Sequence, residues 1–320
     1  MKQKITLFLL LLISSFGFSQ TNTFTGLGNW ELGSNWSLLV PPTSAHDVVI
    51  NGIVCAIADP GAVCNSLTIN SGQLIVSPEA TLTVTGGVTQ NATLIIGSDA
   101  TNSGSVIAGS YSGSSATYQR YLTGGEWHLL STPLSTDAQT IANFVALHSG
   151  DMTTDGGVKY SLGTYDNAFA ADGFSTWKNY TSDVSNPAPA TAFPAGVGYE
   201  ILMNSSGTVD FTGDINTTGA TVTITENVTG WNLIGNPFPS SINGNINADA
   251  NNFLSTNSGF LDPSYVSMYI WNPSGGGSYD IINQASAARY LPPGQAFFVK
   301  REPLPAHIGG ADVLFATNTR

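Results

Sequence analysis

Two parts of this sequence, about 100 residues apart, carry the same motifs in the same order. EWHLLSTP at 126–133 recurs as GWNLIGNP at 230–237, FPAGVGY at 193–199 as LPPGQAF at 291–297, and TVDF at 208–211 as DVLF at 312–315. Matching residues are 104, 98 and 104 positions apart, so spacing as well as order is kept across a whole structural unit. The chain therefore contains a duplication, and we expect the shared aromatic, proline and glycine positions to form a packing framework.

The positions that differ between the two copies are polar. His128 stands where the second copy has Asn232, and Glu126 stands where it has Gly230. We interpret the position of His128 as tolerant and exposed, and we expect any function to lie in loops that the copies do not share.

Residues 119–229 form the first repeat copy and residues 230–320 the second. Each copy contains a Trp strand ending in Pro, a stretch of helical character (138–147; 248–254), a second Trp (Trp177; Trp271), a Gly-aromatic strand and a closing V-x-F strand. Several strands punctuated by Gly and Pro predict a β-sandwich-like unit. The copies form either two tandem domains or one pseudo-symmetric domain.

Residues 20–118 have a different sequence pattern, in which short runs of alternating apolar and polar residues are separated by Gly, Ser, Asn and Pro. The runs are 48–50, 67–69, 74–76, 82–84, 94–96 and 106–108. Alternation of this kind predicts strands with one buried face. Recurrence at short, regular intervals favours a parallel β-solenoid, and a shallow antiparallel sandwich is the alternative. The predicted fold class is all-β, with a short solenoid followed by the duplicated region.

Trp30 and Trp36 precede the first predicted rung of the solenoid. An open solenoid end presents unpaired backbone and an apolar face, so we interpret both residues as a buried cap. The alternative is a pair of exposed rings that stack on sugars.

The first 19 residues have the pattern of a secretory signal peptide. Lys2 and Lys4 precede an apolar run at 5–13, and small residues occupy the −3 and −1 positions of a cleavage site before residue 20. The run is shorter than the roughly 20 residues that a spanning helix needs. We expect an exported chain with no membrane span, whose formal charge falls from −12 to −14 when the two lysines are removed.

The composition argues against nucleic acid as a partner. Charged residues make up 9% of the chain against 42% hydrophobic residues, and no Lys or Arg occurs between Lys4 and Arg120. Phosphate binding requires clustered basic side chains. The two cysteines, Cys55 and Cys64, are close in sequence in a chain expected to be exported, which predicts a disulfide; a pair of buried thiols is the alternative.

The segments GNWELGSNWS, DVVI and NSLTINSGQLIV resemble the start of Bacteroidetes surface proteins that begin with a Trp-capped β-helical region. TGWNLIGNPFPSSI, MYIWNP, LPPGQAFFVK and DVLFATNTR resemble a repeat found further along the same proteins, many of them type IX secretion substrates. The resemblance implies a secreted or cell-surface location and no catalytic residues. Such proteins usually end in a sorting domain, which is not visible before Arg320; a longer protein, another export route or a periplasmic location would account for that.

No motif predicts catalysis or a cofactor. The acidic residues of 20–118 are scattered singly, at Glu31, Asp47, Asp59, Glu79 and Asp99. The four histidines, His46, His128, His148 and His307, show no metal-ligand spacing. Oxygen ligands for calcium occur in loops at Asp151, Asp155, Asp166 and Asp172 and in the run 243–249, although Asn and Asp more often bond their own backbone in turns.

These observations predict a non-enzymatic, exported surface protein that acts as a structural stalk or adhesion module, with extracellular glycans or proteins as partners. The first alternative is a carbohydrate-binding module, and the candidate stacking residues are Trp30, Trp36, Trp177 and Tyr279. A β-helix polysaccharide lyase or glycosidase is the third. Burial of the six Trp side chains discriminates between the first two, since buried rings cannot stack on a sugar.

Overall fold

A computed structural model describes residues 19–135, 139–167, 176–181, 192–273, 276–303 and 311–320. The signal-peptide pattern therefore lies almost wholly outside the described residues. Strands dominate, and two short α-helices are present in these ranges: α1 (Ile141–His148) and α2 (Phe253–Asn257). The all-β prediction is confirmed.

The amino-terminal region is a parallel β-solenoid built from two sheets. The first contains β1 (Gln20–Phe24), β3 (His46–Ile50), β6 (Ser66–Ile69), β8 (Thr81–Gln90) and β10 (Ser105–Gly113), with β5 (Ala62–Cys64) beside β8. The second contains β2 (Gly28–Asn29), β4 (Ile53–Ile57), β7 (Gly72–Val76), β9 (Thr93–Ile96) and β11 (Ala116–Leu122). The chain alternates between the sheets, and successive strands within each sheet are parallel, which excludes the antiparallel alternative.

Each predicted apolar run lies on one strand of the solenoid, and its outer residues point inward. Val48 pairs with Leu67 and Ile50 with Ile69, and all four are buried. Because strand side chains alternate between faces, stacking equal rungs gives a continuous apolar core. At the corner after this sheet, Asn70 Nδ2 donates to Asn51 Oδ1 at 3.0 Å, so polar side chains also stack from turn to turn.

Trp30 and Trp36 form the predicted cap. Their exposed fractions are 2% and 1%, and their ring centroids are 4.8 Å apart in an edge-to-face arrangement. Trp36 Nε1 donates to the Trp30 carbonyl at 2.6 Å, which satisfies the buried indole N–H. Phe24 completes the cluster at 5.0 Å from Trp36. The sugar-stacking alternative is therefore wrong for these two residues.

The predicted disulfide is absent, and Cys55 and Cys64 are buried free thiols. Cys55 lies on β4 in the second sheet and pairs with Leu74, whereas Cys64 lies on β5 in the first sheet and pairs with Val84. Packed sheets lie about 10 Å apart, while a disulfide needs Cα atoms within about 7 Å. Each thiol fills the place of an aliphatic residue in its rung, and burial raises the pKa of Cys64 to about 12.

The first repeat begins on the last solenoid strand, because β11 pairs antiparallel with β17 (Gly207–Gly213). Its main sheet has the order β12 (Trp127–Leu130), β16 (Tyr199–Leu202), β14 (Lys159–Tyr165) and β13 (Thr154–Asp155), with β15 (Trp177–Thr181) also on β14. One apolar cluster runs from the solenoid into this repeat without a break.

The second repeat has the same plan. Its main sheet has the order β19 (Trp231–Gly235), β24 (Ala296–Lys300), β21 (Met268–Asn272) and β22 (Ser278–Ile282). Two further pairs are β18 (Ala220–Ile224) with β25 (Ala311–Phe315) and β20 (Ile242–Asn243) with β23 (Tyr290–Leu291). Since β18 pairs with β25 as β11 does with β17, the strand that opens the second repeat precedes Gly230.

The helices and cores of the repeats correspond. Thr140 caps α1 by accepting from Asn143 N at 3.1 Å, and Asn252 caps α2 by accepting from Ser255 N at 2.8 Å. The first core contains Phe144 and Phe211 and the second Phe253 and Phe315, with ring centroids 5.2 Å apart in both. The helix predicted at 138–147 is confirmed with a shifted start. That predicted at 248–254 is mostly wrong, because α2 begins only at residue 253.

The strand register corrects the match between the second Trp residues. Tyr165 pairs with Trp177 in the first repeat, and Trp271 pairs with Tyr279 in the second. Gly163 pairs with Glu200 as Tyr269 pairs with Phe298, which fixes the register of the two sheets. Trp271 is therefore equivalent to Tyr165, and Trp177 is equivalent to Tyr279.

Candidate ligand-binding groove between the repeats

The main sheets of the two repeats face each other and exchange equivalent backbone bonds. Ser131 N donates to Gly294 O at 2.9 Å, and Gly235 N, its counterpart, donates to Gly196 O at 2.9 Å. The bridge between Leu130 and Gln295 likewise has its counterpart between Ile234 and Val197. The repeats are thus related by a local pseudo-twofold axis. A Cβ at Gly235 would lie 2.4 Å from Ser131 Oγ, so only one of these two equivalent positions can carry a side chain.

Two adjoining cavities open along this junction. The aromatic half, about 270 Å³, is lined by Tyr165, Trp177, Trp231, Tyr269, Tyr279 and Phe298. The acidic half, about 190 Å³, is lined by Trp127, Leu129, Trp177, Glu200, Trp271 and Tyr279. Both contain Trp177 and Tyr279, so they are halves of one groove, which we call the repeat groove. Cavities of this kind, mostly apolar with a few polar groups, are typical of ligand sites.

The pseudo-twofold axis converts one half of the groove into the other. Trp231 corresponds to Trp127, and Phe298 corresponds to Glu200. Trp177 and Tyr279 line both halves. The pseudo-twofold rotation superposes each of these two residues on the other. The duplication therefore builds an aromatic-lined groove in addition to the packing framework that the sequence predicts.

Edge-to-face contacts fix the rings of the aromatic half. The Phe298 ring lies 4.8 Å from Tyr165 and 5.9 Å from Tyr279, and Trp231 lies 4.8 Å from Tyr269. Aromatic pairs prefer this geometry, and each contributes about 0.5–1.5 kcal/mol beyond simple burial. Phe298 is only 6% exposed and forms the floor, whereas Tyr279 is 43% exposed and forms part of the rim.

The acidic half differs by its carboxyl group. Glu200 lies on β16 between Leu129 and Gly163, and a Cβ at Gly163 would lie 3.0 Å from Glu200 Oε1. Burial raises the pKa of Glu200 to about 7, and Lys159 opposes this shift by its positive charge. Trp271 Nε1 donates to Trp127 O at 2.8 Å and joins the two walls.

The structure separates the four predicted stacking residues. Trp30 and Trp36 lie in the solenoid cap, whereas Trp177 and Tyr279 meet in the repeat groove. Sequence reasoning missed the remaining groove residues, among them Glu200, Trp127, Trp231 and Trp271. One signal was present: when 193–199 is aligned with 291–297, the next pair is Glu200 and Phe298, a carboxylate against an aromatic ring.

The predicted calcium ligands have other roles in the structure. Asp151 Oδ2 accepts from Ser205 N at 3.2 Å, Asp166 pairs with Lys178, and Asp155 is exposed on a hairpin. Asp172 lies outside the described residues. Within the described ranges, no three His, Cys, Asp or Glu side chains are grouped so as to hold a metal ion.

The run 243–249 forms the alternative, turn-type interactions. Asn245 is fully buried, its Nδ2 donates to Ala287 O at 2.9 Å, and its Oδ1 accepts from Ala248 N at 3.2 Å. Asp249 Oδ1 accepts from Asn251 N at 2.8 Å. The bonds to Ala248 N and Asn251 N confirm that Asn and Asp here satisfy local backbone groups, while the bond to Ala287 O attaches the turn to a distant segment.

The histidine of the first Trp strand has a structural role that the sequence did not predict. His128 Nε2 bonds to Thr123 O at 2.9 Å, and Asn232 Nδ2 donates to Thr225 O at 2.8 Å. Both side chains attach the Trp strand to the loop before it. The position of His128 and Asn232 is partly buried, and its side chain makes a structural hydrogen bond. Its interpretation as exposed and tolerant is therefore wrong.

A parallel solenoid joined to a duplicated sheet unit places this chain among the all-β proteins. The chain belongs to the family described as "Domain of unknown function (DUF8693)", whose model matches residues 23–318. Comparison with curated proteins and with solved structures found no match. Among the described helices, none is long and apolar enough to cross a membrane.

Proposed function

We propose that this protein is a non-enzymatic adhesion module that binds carbohydrate in the repeat groove. The observation that carries the proposal is the distribution of the six Trp side chains: two are buried in the cap, and the other four line the groove. Aromatic faces at an open groove suit the apolar faces of sugar rings, because they contribute large contact area with little conformational entropy.

The lining of the groove favours binding over hydrolysis. Glu200 is the one carboxylate among the described lining residues. A glycosidase uses two carboxyl groups about 5–9.5 Å apart. We therefore expect purified protein to bind polysaccharide without releasing reducing ends, and we expect EDTA to leave binding unchanged. Release of reducing ends would contradict the non-enzymatic part of the proposal.

A purely structural stalk is the second candidate, supported by the rigid solenoid. Glycan-array binding by wild type separates the two, since a stalk requires no ligand. In the Tyr279→Ala variant we expect affinity to fall at least about tenfold, or roughly 1.4 kcal/mol, because a 43% exposed ring of the groove is removed. Tyr290→Ala is the matched control, because Tyr290 is 54% exposed and lies outside the groove.

Two outcomes would count against this function. If the folded wild type binds no glycan, the stalk is preferred. If Tyr279→Ala and Tyr290→Ala weaken binding equally, the glycan does not bind in the groove. Thermal unfolding of each variant separates a loss of affinity from a loss of structure.

Export to the cell surface or the medium belongs to the same proposal. It is supported by the lysines, apolar run and small residues of 1–19 and by the resemblance to Bacteroidetes surface proteins. Amino-terminal sequencing of protein from the native cells should begin at Gln20. Protein that retains Met1 and remains in the cytoplasm would contradict it.

A further inference from the structure

The acidic half of the repeat groove combines one carboxyl group with several aromatic rings. Trp127, Trp271, Trp177 and Tyr279 line the cavity that contains Glu200. Burial raises the pKa of Glu200, and the positive charge of Lys159 opposes this shift. Because the Glu200 side chain lines the cavity, a ligand that enters this half of the groove can contact its carboxyl group.

The cations near the groove are occupied elsewhere. Lys178 pairs with Asp166, and Lys300 lies 3.3 Å from Asp262 and 4.0 Å from the Tyr265 ring centre. Lys159 acts on Glu200 from an exposed position at the start of β14, where solvent screens its charge. The formal charge of the whole chain is −12. The net negative charge of the molecule therefore favours the approach of cationic glycans over anionic ones.

Aromatic faces and a carboxylate both favour a bound ammonium group. A cation over a Trp or Tyr face gains about 0.5–2 kcal/mol, and a carboxylate adds a charge-assisted hydrogen bond. A neutral sugar hydroxyl makes no cation–π interaction, and its hydrogen bond to a carboxylate is weaker than that of an ammonium group. A sugar that carries an ammonium group could stack on a ring and contact Glu200 at the same time.

We propose that the acidic half binds a sugar unit with a free, protonated amino group, so that the preferred glycans contain unacetylated hexosamine. This inference rests on the carbohydrate-binding function and narrows its ligand class. The aromatic half, which has Phe298 in place of Glu200, binds a neighbouring neutral unit by stacking alone.

The pH dependence of binding follows from the groups that face Glu200. These are Lys159, which favours the ionised carboxylate, and the phenol of Tyr279, whose pKa is raised by burial and by the charges of Tyr165 and Glu200. The low-pH arm of binding reflects ionisation of Glu200, and the high-pH arm reflects deprotonation of the ligand amine. The profile for an amine-bearing ligand is therefore bell-shaped, whereas an N-acetylated ligand gives a flat one.

The test measures the affinity for two tetrasaccharides that differ only in acetylation, one of β-linked glucosamine and one of β-linked N-acetylglucosamine. Isothermal titration calorimetry at about pH 7 provides the measurement. We expect wild type to bind the free amine about tenfold more tightly. Glu200→Gln should abolish this preference and the low-pH arm while keeping the affinity for the acetylated ligand. Asp59→Asn, an exposed charge change on the solenoid, should keep the preference.

Each outcome has a distinct meaning. Equal binding of both ligands by wild type overturns the amine inference and leaves carbohydrate binding intact. Preference for an acidic glycan also overturns it. Absence of binding to either ligand and to the whole glycan array defeats the proposed function itself. If Glu200→Gln fails to fold, the wild-type profiles decide, because a flat profile with the free amine overturns the inference.

Discussion

The two halves of the repeat groove have the same backbone and different chemistry. Phe298 in the aromatic half packs against three rings, and Glu200 takes its place in the acidic half. The residue paired with each position also differs, with Tyr269 beside Phe298 and Gly163 beside Glu200. The exchange is therefore coupled, because loss of the Tyr side chain makes room for the carboxyl group.

This coupling shows how a duplicated unit gains an asymmetric site. The cores keep equivalent rings, such as Phe144 with Phe253 and Phe211 with Phe315, because each must fill the same space. The groove lining differs instead, because a carboxyl group at Glu200 takes the place of the Phe298 ring. The same backbone therefore presents different chemistry in the two halves.

The largest expected effect is the difference in unfolding free energy between truncation of Phe298 and truncation of its equivalent, Glu200. Phe298→Ala should lower the free energy of unfolding by about 3–5 kcal/mol, because a 6% exposed ring with three aromatic neighbours is removed. Glu200→Ala should change it by less than about 1 kcal/mol, since a partly exposed carboxyl group is replaced. Urea unfolding of both variants measures the difference. Similar losses for both would show that the two halves contribute equally to stability.

The second effect concerns the pH dependence of stability that Glu200 introduces and its counterpart Phe298 does not. Its folded pKa of about 7 exceeds the ordinary value of 4.5, so its stabilising contribution is full below pH 4.5 and is lost as pH rises through 7. Relative to Glu200→Gln, wild type should lose about 1–2 kcal/mol of unfolding free energy across this interval, after allowance for solvent screening. Unfolding curves at several pH values test this, and a constant difference between the two proteins would contradict it.

The third effect compares the helices of the two repeats. His148 Nε2 accepts from Asp210 N at 3.3 Å, and in the second repeat Asn257 Oδ1 accepts from the equivalent Leu314 N at 2.8 Å. Burial lowers the pKa of His148 below 6.5, while Asp210 and Asp151 oppose this by their charges. The neutral ring therefore contributes stability above pH 6.5 that is lost as pH falls through the lowered pKa.

The variant His148→Asn should remove this acid sensitivity. At acidic pH, below the lowered pKa of His148, it should be more stable than wild type by about 0.5–1.5 kcal/mol, the contribution of one retained hydrogen bond. Near neutral pH the two should differ little. Thermal unfolding at both pH values provides the measurement, with Asn257→Ala as the corresponding loss in the second repeat. Equal acid sensitivity in both proteins would contradict the role of His148.

The sequence was sufficient for features that depend on local periodicity. Rung residues such as Val48 and Ile50 and the capping Trp30 and Trp36 are buried as their spacing predicts, because alternation and position in a solenoid determine burial. The sequence was misleading where three-dimensional neighbours decide. Cys55 and Cys64 are close along the chain, yet they belong to opposite sheets.

The groove could be predicted only in part for the same reason. Trp177 was matched with Trp271 by residue type, whereas strand pairing matches it with Tyr279. Spacing favours the correct match, because Trp177 follows Trp127 by 177 − 127 = 50 residues, and Tyr279 follows Trp231 by 279 − 231 = 48, whereas Trp271 follows it by 271 − 231 = 40. Residue type gave the wrong register because Trp and Tyr are exchanged between the paired strands of the two repeats. The contact between the main sheets of the two repeats is a long-range property. It depends on both copies together, so the pattern of one copy does not predict it.

The smallest expected effect tests that register directly. Because Trp177 and Tyr279 occupy equivalent positions shared by both halves of the groove, the double variant Trp177→Tyr with Tyr279→Trp should keep the same set of rings around the axis. We expect the free energy of unfolding to change by less than about 1 kcal/mol, since total volume and aromatic character are conserved. Exchanging the other equivalent pair, by Trp271→Tyr with Tyr165→Trp, provides the comparison. A much larger loss in the first double variant than in the second would contradict the equivalence of Trp177 and Tyr279, because residues related by the pseudo-twofold axis have corresponding surroundings.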